Sequence, residues 1–473
     1  MIQLRPYQSE SANLIRAAFQ GGHRRVVLCL PTGAGKTVVF SDIVRQTVEN
    51  GRSVLVLTDR TELFKQTVSA IRRHKIPVSY ISPESKRVAP NALCHVGMVE
   101  TLKRRAGRSV FINPNLIIID EAHKGNFTKI FELYPNARVI GATATPVGKH
   151  FHKYYTELIN PVQISDLIMD GFLAPCHPFQ MQDDMSDLVE RNGEFTEESQ
   201  YQHFSKPELF RGVIDKYIEL ANGLKTIVFN CNIKHAEETT EQFNNAGIKS
   251  YCITSNTSDD ERRFILSQFA QGAFPVLNNC GILTTGYDEP SIQCVIMNRA
   301  TKSLPLFLQC AGRGSRIYPN KRKFILLDFG MNHDRFGLWS ADRTWSLEPP
   351  KKRKSEGAAP VKTCPNCSAM IAASARICQF CSNQFEANER ELSEGVMVEV
   401  IRSPHIGKRV SELSVPELAE LNLFKSTYIW RVIRSRGADA VREFARIKGY
   451  RRGWINRQIE SIEDADHRDY VIH

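Results

Sequence analysis

The sequence lacks the features of a membrane or secreted protein. It has no apolar run of about 18 residues, so we expect no transmembrane span. Its start, MIQLRPYQSE, carries neither the basic region nor the apolar region of a secretory signal, so we expect a cytoplasmic protein. The absence of a short internal repeat excludes a solenoid.

The chain also lacks an acidic excess and any sign of a disulfide framework. Its 62 Lys and Arg against 51 Asp and Glu give a net charge of +11, which favours a polyanionic partner such as nucleic acid. Twelve cysteines without a secretory signal indicate reduced thiols or metal ligands. With 42% hydrophobic residues, a chain of 473 residues can bury a sizeable core in about three domains.

Short apolar runs, each followed by a polar or helical stretch, predict strands buried on both faces of parallel sheets. One set comprises 26–30, 54–57, 116–119 and 139–140, and a second comprises 226–229, 250–253, 276–277, 294–297 and 324–327. Two sets in tandem predict an α/β fold with two units. We divide the chain into a first unit at 1–150, a connector with little core at 151–206, a second unit at 207–347, a basic linker at 348–361, a cysteine-rich module at 362–385 and a basic helical region at 386–473.

The segment Pro31-Thr-Gly-Ala-Gly-Lys-Thr37 lies between a predicted strand and a predicted helix and is typical of a phosphate-binding loop. Gly33 and Gly35 let backbone N–H groups face phosphate oxygens, and the helix N-terminus adds partial positive charge. Lys36 can reach the β and γ phosphates of a nucleotide, and Thr37 can offer its hydroxyl to Mg²⁺. Leu30 stands where the full motif has its first glycine, so a simple strand-to-helix turn is the alternative.

Two carboxylates end the most hydrophobic predicted strand of the first unit, in Leu116-Ile-Ile-Ile-Asp-Glu-Ala-His123. At the carboxyl edge of a sheet, Asp120 can hold Mg²⁺ and Glu121 can orient or deprotonate a water. The alternative is a solvated acidic pair at a helix start. That alternative does not explain why the pair follows so apolar a strand.

With these two motifs together, the chain resembles the superfamily 2 helicases and translocases of the DEAH-box type. The other motifs of that family follow in order between Leu4 and Phe329. They are Arg5-Pro-Tyr-Gln8, Leu57-Thr-Asp-Arg-Thr-Glu-Leu63, Gly97-Met-Val-Glu-Thr-Leu102, Gly141-Ala-Thr-Ala-Thr-Pro146, Ile227-Val-Phe-Asn230, Thr284-Thr-Gly-Tyr-Asp-Glu-Pro290 and Gln309-Cys-Ala-Gly-Arg-Gly-Ser-Arg316. The resemblance implies two tandem RecA-like domains that close on ATP and Mg²⁺ and move along one nucleic-acid strand.

The residues and the resemblance together assign the candidate roles. The catalytic candidates are Lys36, Asp120, Glu121, Gln309, Arg313 and Arg316. The nucleotide-binding candidates are Arg5, Gln8, Thr32, Gly33, Ala34, Gly35, Lys36, Thr37, Asp120, Gly286 and Asp288, and Thr37 and Asp120 are the Mg²⁺ ligands. By resemblance, His123, Thr143 and Thr145 couple hydrolysis to movement, and Arg60, Thr101 and Thr284 contact nucleic acid.

The last motif has a physical interpretation of its own. If residues 309–316 are helical, Gln309, Arg313 and Arg316 share one face. Guanidinium groups are planar, always charged and bidentate, so two of them suit a γ-phosphate. By resemblance, Arg316 is the arginine finger, Arg313 its neighbour, and Gln309 helps to place the water. A surface pair of arginines is the alternative.

Four cysteines in the pattern C-x₂-C-x₁₀-C-x₂-C predict a closed, structural Zn²⁺ site in a zinc ribbon. They are Cys364, Cys367, Cys378 and Cys381. An iron–sulfur cluster takes the same ligands, and a redox pair would need a thioredoxin-like context that the sequence does not offer. The other eight cysteines lie mostly in apolar runs and are expected to be core thiols.

The C-terminal region is basic and carries interleaved aromatics. Residues 425–457 hold ten Lys or Arg and two acids, which suits a nucleic-acid backbone and exposed bases. The candidate contacts there are Lys425, Arg431, Arg434, Arg451 and Arg452. A small helical domain with solvated charges, which would bind a protein partner, is the alternative. The run Lys351-Lys-Arg-Lys354 is interpreted as a basic linker, or as a nuclear import signal.

Within the superfamily, the start Leu4–Gln8, the form of Thr284–Asp288 and the cysteine module resemble the bacterial and phage RadD-like DNA helicases. We therefore predict an ATP-driven DNA helicase or translocase of a bacterial or phage-infected cell. An RNA helicase is an alternative, because the motor motifs contact phosphates and do not distinguish the sugars. A second alternative is a binding protein with a degenerate motor, which the intact catalytic set disfavours. A third alternative is the motor of a restriction complex, but no set of nuclease residues is evident in the sequence.

Overall fold

The computed structural model describes residues 3–85, 87–125, 127–148, 151–348, 361–385, 414–420, 433, 436–450, 455–456 and 458–459. The chain separates into two compact units, residues 1–387 and 388–473. Across the described parts of the chain, no helix combines the length and apolar character needed to span a membrane.

A seven-stranded parallel sheet forms the first half of the larger unit. Its strands are β1 (Arg25–Cys29), β2 (Val54–Thr58), β3 (Ser79–Ile81), β4 (Cys94–Met98), β5 (Leu116–Asp120), β6 (Arg138–Thr143) and β7 (Glu157–Ile159). Their order is β3-β4-β2-β5-β6-β1-β7. The helices are α1 (Pro6–Gln20), α2 (Lys36–Glu49), α3 (Thr61–Arg72), α4 (Val99–Arg105), α5 (Thr128–Leu133), α6 (Phe151–Tyr154) and α7 (Ile164–Met169), with a 3₁₀ turn at Ala122–Lys124.

A six-stranded parallel sheet forms the second half. Its strands are β8 (Cys176–Gln180), β11 (Thr226–Asn230), β12 (Ser250–Ile253), β13 (Val276–Asn279), β14 (Cys294–Asn298) and β15 (Phe324–Asp328), in the order β12-β13-β11-β14-β15-β8. Between β8 and β11 lie a short hairpin of β9 (Glu190–Arg191) and β10 (Glu194–Phe195), and the helices α8 (Glu197–Phe204) and α9 (Pro207–Ala221). The remaining helices are α10 (Ile233–Asn245), α11 (Asp259–Ala270), α12 (Leu304–Ala311) and α13 (Asn332–Phe336), with a 3₁₀ turn at Ile282–Thr284.

All the predicted strands are present, and the two tandem α/β units are confirmed. The central strands β2, β5, β11 and β15 are buried along their whole length, as strands covered on both faces must be. The segment 151–206, expected to be a connector with little core, instead supplies β7 to the first sheet and β8 to the second. Both are edge strands, where polar residues and Pro178 are tolerated, so their apolar signal is weak.

The cysteine-rich module forms a two-stranded antiparallel hairpin of β16 (Val361–Thr363) and β17 (Met370–Ala372). The ring of Phe380 stacks on His177 of β8, with centroids 4.1 Å apart. Burial, and then the charge of Lys323, lower the pKa of His177 to about 4, so this ring is neutral at pH 7. The module is therefore packed on the edge of the second sheet.

In the C-terminal unit, the described residues include α14 (Val415–Glu420) and α15 (Ala438–Lys448). Val415, Leu418, Val441 and Phe444 contribute to a small apolar cluster of that unit. Phe444, one of the interleaved aromatics, is thus a core residue.

Candidate active site

A cavity of about 670 Å³ lies between the two halves of the larger unit. Residues from both halves line it, among them Arg5, Gln8, Thr32, Gly33, Gly35, Lys36, Thr37, Asp120, Glu121, Gly286, Asp288, Gln309, Arg313 and Arg316. The structure therefore brings every candidate catalytic residue to one cleft. Of the candidate nucleotide-binding residues, only Ala34 lies below its surface.

The loop between β1 and α2 forms a cradle for an anion. Gly33 and Gly35 have φ of 90° and 82°, a conformation that favours glycine. A Cβ on Gly35 would lie 2.6 Å from Gln8 Nε2, so the close approach of backbone and Gln8 requires this glycine. Among the described residues, the Lys36 ammonium donates to Leu30 O alone, at 3.4 Å. The backbone geometry and the charge fit the phosphates of a nucleotide.

The N-terminal motif holds this loop in place. Tyr7 Oη and Gln8 Nε2 both donate to the carbonyl of Ala34, at 2.8 and 3.0 Å. Gln8 Oε1 accepts from the N–H of Arg5 at 3.0 Å. Tyr7 and Gln8 thus hold the loop through the carbonyl of Ala34, and Gln8 also lines the cavity.

The two carboxylates follow β5 in a strained turn. Glu121 has φ of 51°, which is uncommon for a non-glycine residue, and its N–H donates to Asp120 Oδ1 at 3.0 Å. Burial and the neighbouring charge of Glu121 raise the pKa of Asp120 to about 7. A bound cation would favour the ionised form. The hydroxyl of Thr37 and the carboxylate of Asp120 are hard oxygen ligands that fit Mg²⁺.

Gln309, Arg313 and Arg316 reach the cleft from the second half, although not on one helix. The predicted helix over 309–316 is wrong, because α12 ends at Ala311. Gly312 packs against Thr32, and Gly314 packs against Phe324, so the chain leaves the helix at two glycines where no side chain fits. The loop nevertheless brings the three side chains to the same cavity.

The two arginines have different surroundings. Arg313 is buried and donates to the carbonyls of Thr284, at 2.6 Å, and Tyr287. Burial, and then the charge of Arg316, lower its pKa to about 10. Arg316 forms an ion pair with the exposed carboxylate of Asp288 and lies beside the phosphate loop near Gly33. Arg316 is the better placed of the two to meet a phosphate.

A chain of polar contacts leads from the second half to the motif at 143–145. Gln309 Nε2 donates to Glu121 Oε2 at 3.2 Å, and His123 Nδ1 lies 3.3 Å from the same carboxylate oxygen. His123 Nδ1 also lies 2.9 Å from Thr143 Oγ1, which accepts from the N–H of Thr145 at 3.0 Å. The three candidate coupling residues are therefore contiguous with Glu121.

The candidate nucleic-acid residues of the motor lie at the carboxyl edges of the sheets. Arg60 precedes α3 after β2, Thr101 lies in α4 after β4, and Thr284 follows β13. Lys425, Arg431, Arg434, Arg451, Arg452 and the basic run 351–354 fall outside the described residues.

Sequence reasoning missed Phe172 in the same cavity. The Arg5 guanidinium lies 4.6 Å from the centre of the Phe172 ring, and the Tyr7 ring is 5.4 Å away. Phe172 lies in the segment expected to be a connector, where no local pattern marks a site. Gln66 was also missed, and its side chain donates to Gly286 O across the cleft.

The four cysteine sulfurs of the module converge within 4.8 Å of one another. Cys364 Sγ lies 3.7 Å from Cys381 Sγ, and Cys367 Sγ lies 3.7 Å from Cys378 Sγ. Tetrahedral Zn²⁺ with bonds of about 2.3 Å places its sulfur ligands roughly 3.8 Å apart. The four thiols therefore fit a zinc ion.

Two family models match the chain. "Type III restriction enzyme, res subunit" matches residues 1–148, and "Helicase conserved C-terminal domain" matches residues 207–318. A 51.5 kDa protein of Lactococcus phage (isolate 7-9) is 31% identical over 370 residues, which are 76% of this chain and 78% of that protein. The chain belongs to the superfamily 2 helicases.

This helicase is also similar to a Saccharomyces cerevisiae protein with the provisional name ATP-dependent helicase IRC3. They are 27% identical over 366 residues, covering 69% of this chain and 51% of the yeast protein. A fragment of an HsdR subunit of a type I restriction enzyme from Vibrio vulnificus YJ016 shares the fold, with a TM-score of 0.54 and 23% identity over 69% of this chain and 64% of that one. The enzyme is therefore an ATP-hydrolysing helicase, a class that uses ATP and Mg²⁺.

Proposed function

We propose that this helicase hydrolyses ATP in the cleft between its two RecA-like domains and uses the resulting closure to move along DNA. The main support is that the phosphate loop and carboxylates of the first domain line the same cavity as Gln309 and Arg316 of the second domain. Residues split in this way can act together only when the domains close, which links hydrolysis to relative motion.

Within the cleft, the chain's own groups divide the chemistry. Lys36 and the N–H groups of the phosphate loop bind and orient the phosphates. Glu121, held by Gln309, orients the attacking water and receives its proton. During hydrolysis, the Arg316 guanidinium leaves Asp288 and stabilises the negative charge that develops on the γ-phosphoryl group. Mg²⁺, held by Thr37 and Asp120, would neutralise charge on the β and γ phosphates.

DNA is favoured over RNA because Leu4–Gln8, Thr284–Asp288 and the cysteine module resemble the RadD-like DNA helicases. The finer assignments to that group and to the DEAH-box type remain predictions, as does action in a bacterial or phage-infected cytoplasm. The cysteine module would carry one structural Zn²⁺. The C-terminal unit would add affinity for DNA, with a protein partner as its alternative ligand.

The test is the rate of ATP hydrolysis measured in parallel with single-stranded DNA, duplex DNA, a fork and RNA. We expect stimulation by DNA and little by RNA, with Lys36→Ala as the inactive control. Equal stimulation by RNA would replace the DNA assignment with an RNA helicase. Absence of stimulation by any polymer would contradict the proposed function.

A further inference from the structure

Arg299 follows β14 at the carboxyl edge of the second sheet, and within the described part of the chain its charge has no partner. Its Nε is buried and donates to nothing. The guanidinium forms no hydrogen bond or ion pair with any residue that the structure describes. Arg299 is half-buried, but its Nε is fully buried, and buried donors are nearly always satisfied in folded proteins. An unsatisfied Nε at a functional edge therefore points to a ligand.

Arg299 lies on the same sheet edge as Thr284, which by resemblance contacts nucleic acid. Asn298, at the end of β14, pairs in register with Asn230 at the end of β11. Burial raises the pKa of the Cys231 and Cys280 thiols, and the positive charge of Arg299 is the largest opposing influence on both. Cys231 follows β11, and Cys280 follows β13 four residues before Thr284. In the sheet, β11 lies between β13 and β14, so the loops that follow these three strands share the edge at which Arg299 lies.

The backbone at this position is fixed. The carbonyl of Arg299 accepts from Asn332 Nδ2 at 3.0 Å, and Gly330 packs so closely on that carbonyl that no Cβ fits. The next N–H, that of Ala300, donates to Gln200 Oε1 at 3.1 Å. The side chain thus starts from a rigid support, which lowers the entropic cost of holding a ligand.

Neighbouring cations of this edge are already engaged. Lys302 is paired with Glu190, and Lys234 lies 3.9 Å from Glu238. Arg335 donates to Met331 O at 3.1 Å. In this part of the described structure, Arg299 differs from these cations because its guanidinium donates to no carboxylate or carbonyl.

We propose that Arg299 holds a backbone phosphate of the bound strand, at the edge formed by the loops that follow β11, β13 and β14. This inference rests on the proposed function and extends its nucleic-acid site to a residue that the motif analysis did not include. A guanidinium binds a phosphate through two parallel N–H···O bonds, so the side chain would fix the position of the strand without reading its sequence.

The test compares Arg299→Ala with the unmodified chain by fluorescence anisotropy of a labelled single-stranded DNA over a salt series. We expect an affinity about tenfold lower, since hydrogen bonds to charged groups are the strong ones. The log–log salt slope should become shallower by about 0.7, the value for one phosphate contact on a single strand. Binding of a fluorescent ATP analogue without DNA should not change.

Arg263→Ala is the matched control, because it removes an exposed arginine of α11 that is paired with Asp260. It should leave the salt slope unchanged. Arg299→Lys keeps the positive charge, so it should keep most of the salt slope of the unmodified chain. If Arg299→Ala does not fold, Arg299→Gln replaces it in the same measurement. An unchanged slope in a folded Arg299 variant would overturn this inference alone, whereas absence of DNA binding by the unmodified chain would overturn it together with the proposed function.

Discussion

At the scale of single residues, Lys36 and Glu121 should fail in different ways when they are replaced. Lys36→Ala removes a phosphate contact, so we expect weaker ATP binding and no turnover. Glu121→Gln keeps the shape and the acceptor for Gln309 but loses the base, so ATP should still bind while hydrolysis stops. Binding of a fluorescent ATP analogue and phosphate release separate the two effects. Normal turnover by Glu121→Gln would show that another group activates the water.

Arg316 should affect the rate of hydrolysis and not the binding of ATP. Its guanidinium is paired with Asp288, so exchanging that carboxylate for the ground-state phosphates of ATP should add little to the affinity for ATP. We expect Arg316→Ala to lower kcat by about 10³-fold, the range for an arginine finger, with nearly unchanged affinity for ATP. Steady-state kinetics at saturating DNA measure both quantities. An unchanged kcat would place Arg316 outside the catalytic chemistry.

Residue types and spacing identified the groups that carry charge in the cleft, but not every group around them. The phosphate loop and the carboxylate pair are local patterns, and each was predicted where the structure places it. Phe172 and Arg299 were missed because only the tertiary fold brings them to the motifs. No local pattern marks a site at Phe172, and Arg299 follows the predicted strand 294–297 without belonging to a recognised motif.

At the scale of elements, the cysteine module should stabilise the second RecA-like domain through zinc. Phe380 lies between two of the four cysteines and stacks on His177 of β8. We expect one Zn²⁺ per chain by elemental analysis, and a lower Tm after chelation, because metal loss releases Phe380 from the sheet. Iron, or folded protein without metal, would contradict the zinc assignment.

The variant Phe380→Ala separates this contact from the metal itself. It should retain zinc yet lose more than about 1 kcal/mol of stability, because an aromatic pair contributes about that much in addition to the buried area that the substitution also removes. Ile377→Ala, at a mostly exposed position of the same module, should leave Tm unchanged. Equal effects of the two substitutions would mean that the stacked pair does not couple the module to the sheet.

Elements with an apolar signal were predicted well, and those without one were not. The central strands are buried on both faces, so each appears as a continuous hydrophobic run. The edge strand β8 has the sequence Cys-His-Pro-Phe-Gln, and its proline and polar residues break the apolar run that would predict a strand. The helix over 309–316 was predicted from side-chain spacing, and Gly312 and Gly314 overrode that spacing through packing.

At the scale of the whole molecule, the C-terminal unit should supply affinity and not catalysis. Residues 425–457 carry a net charge of +8, from ten basic and two acidic residues. Truncation after Phe385 should keep ATP hydrolysis at saturating DNA, since the catalytic cleft lies wholly in the other unit. It should raise the DNA concentration for half-maximal rate and make the salt dependence shallower, by about 0.7 to 0.9 per lost contact.

The matching measurement is ATP hydrolysis against DNA concentration at several salt concentrations, with the full chain as reference. The zinc module stays in the truncated protein, so any difference belongs to the tail. The same DNA requirement and the same salt slope in both proteins would instead indicate that the tail binds a protein partner.

The pairing of β8 with β15 has a consequence for the order in which the chain is made. Cys176 pairs with Phe324, so β8 leaves the ribosome 148 residues before its partner. At roughly 5 to 20 residues per second, β8 waits about 7 to 30 s without that partner. During translation it is an unpaired strand edge, the kind of surface on which chains aggregate. A nascent chain stalled at residue 318, where the helicase family match ends, would hold β8 in that state, and we expect it to need a chaperone to stay in solution.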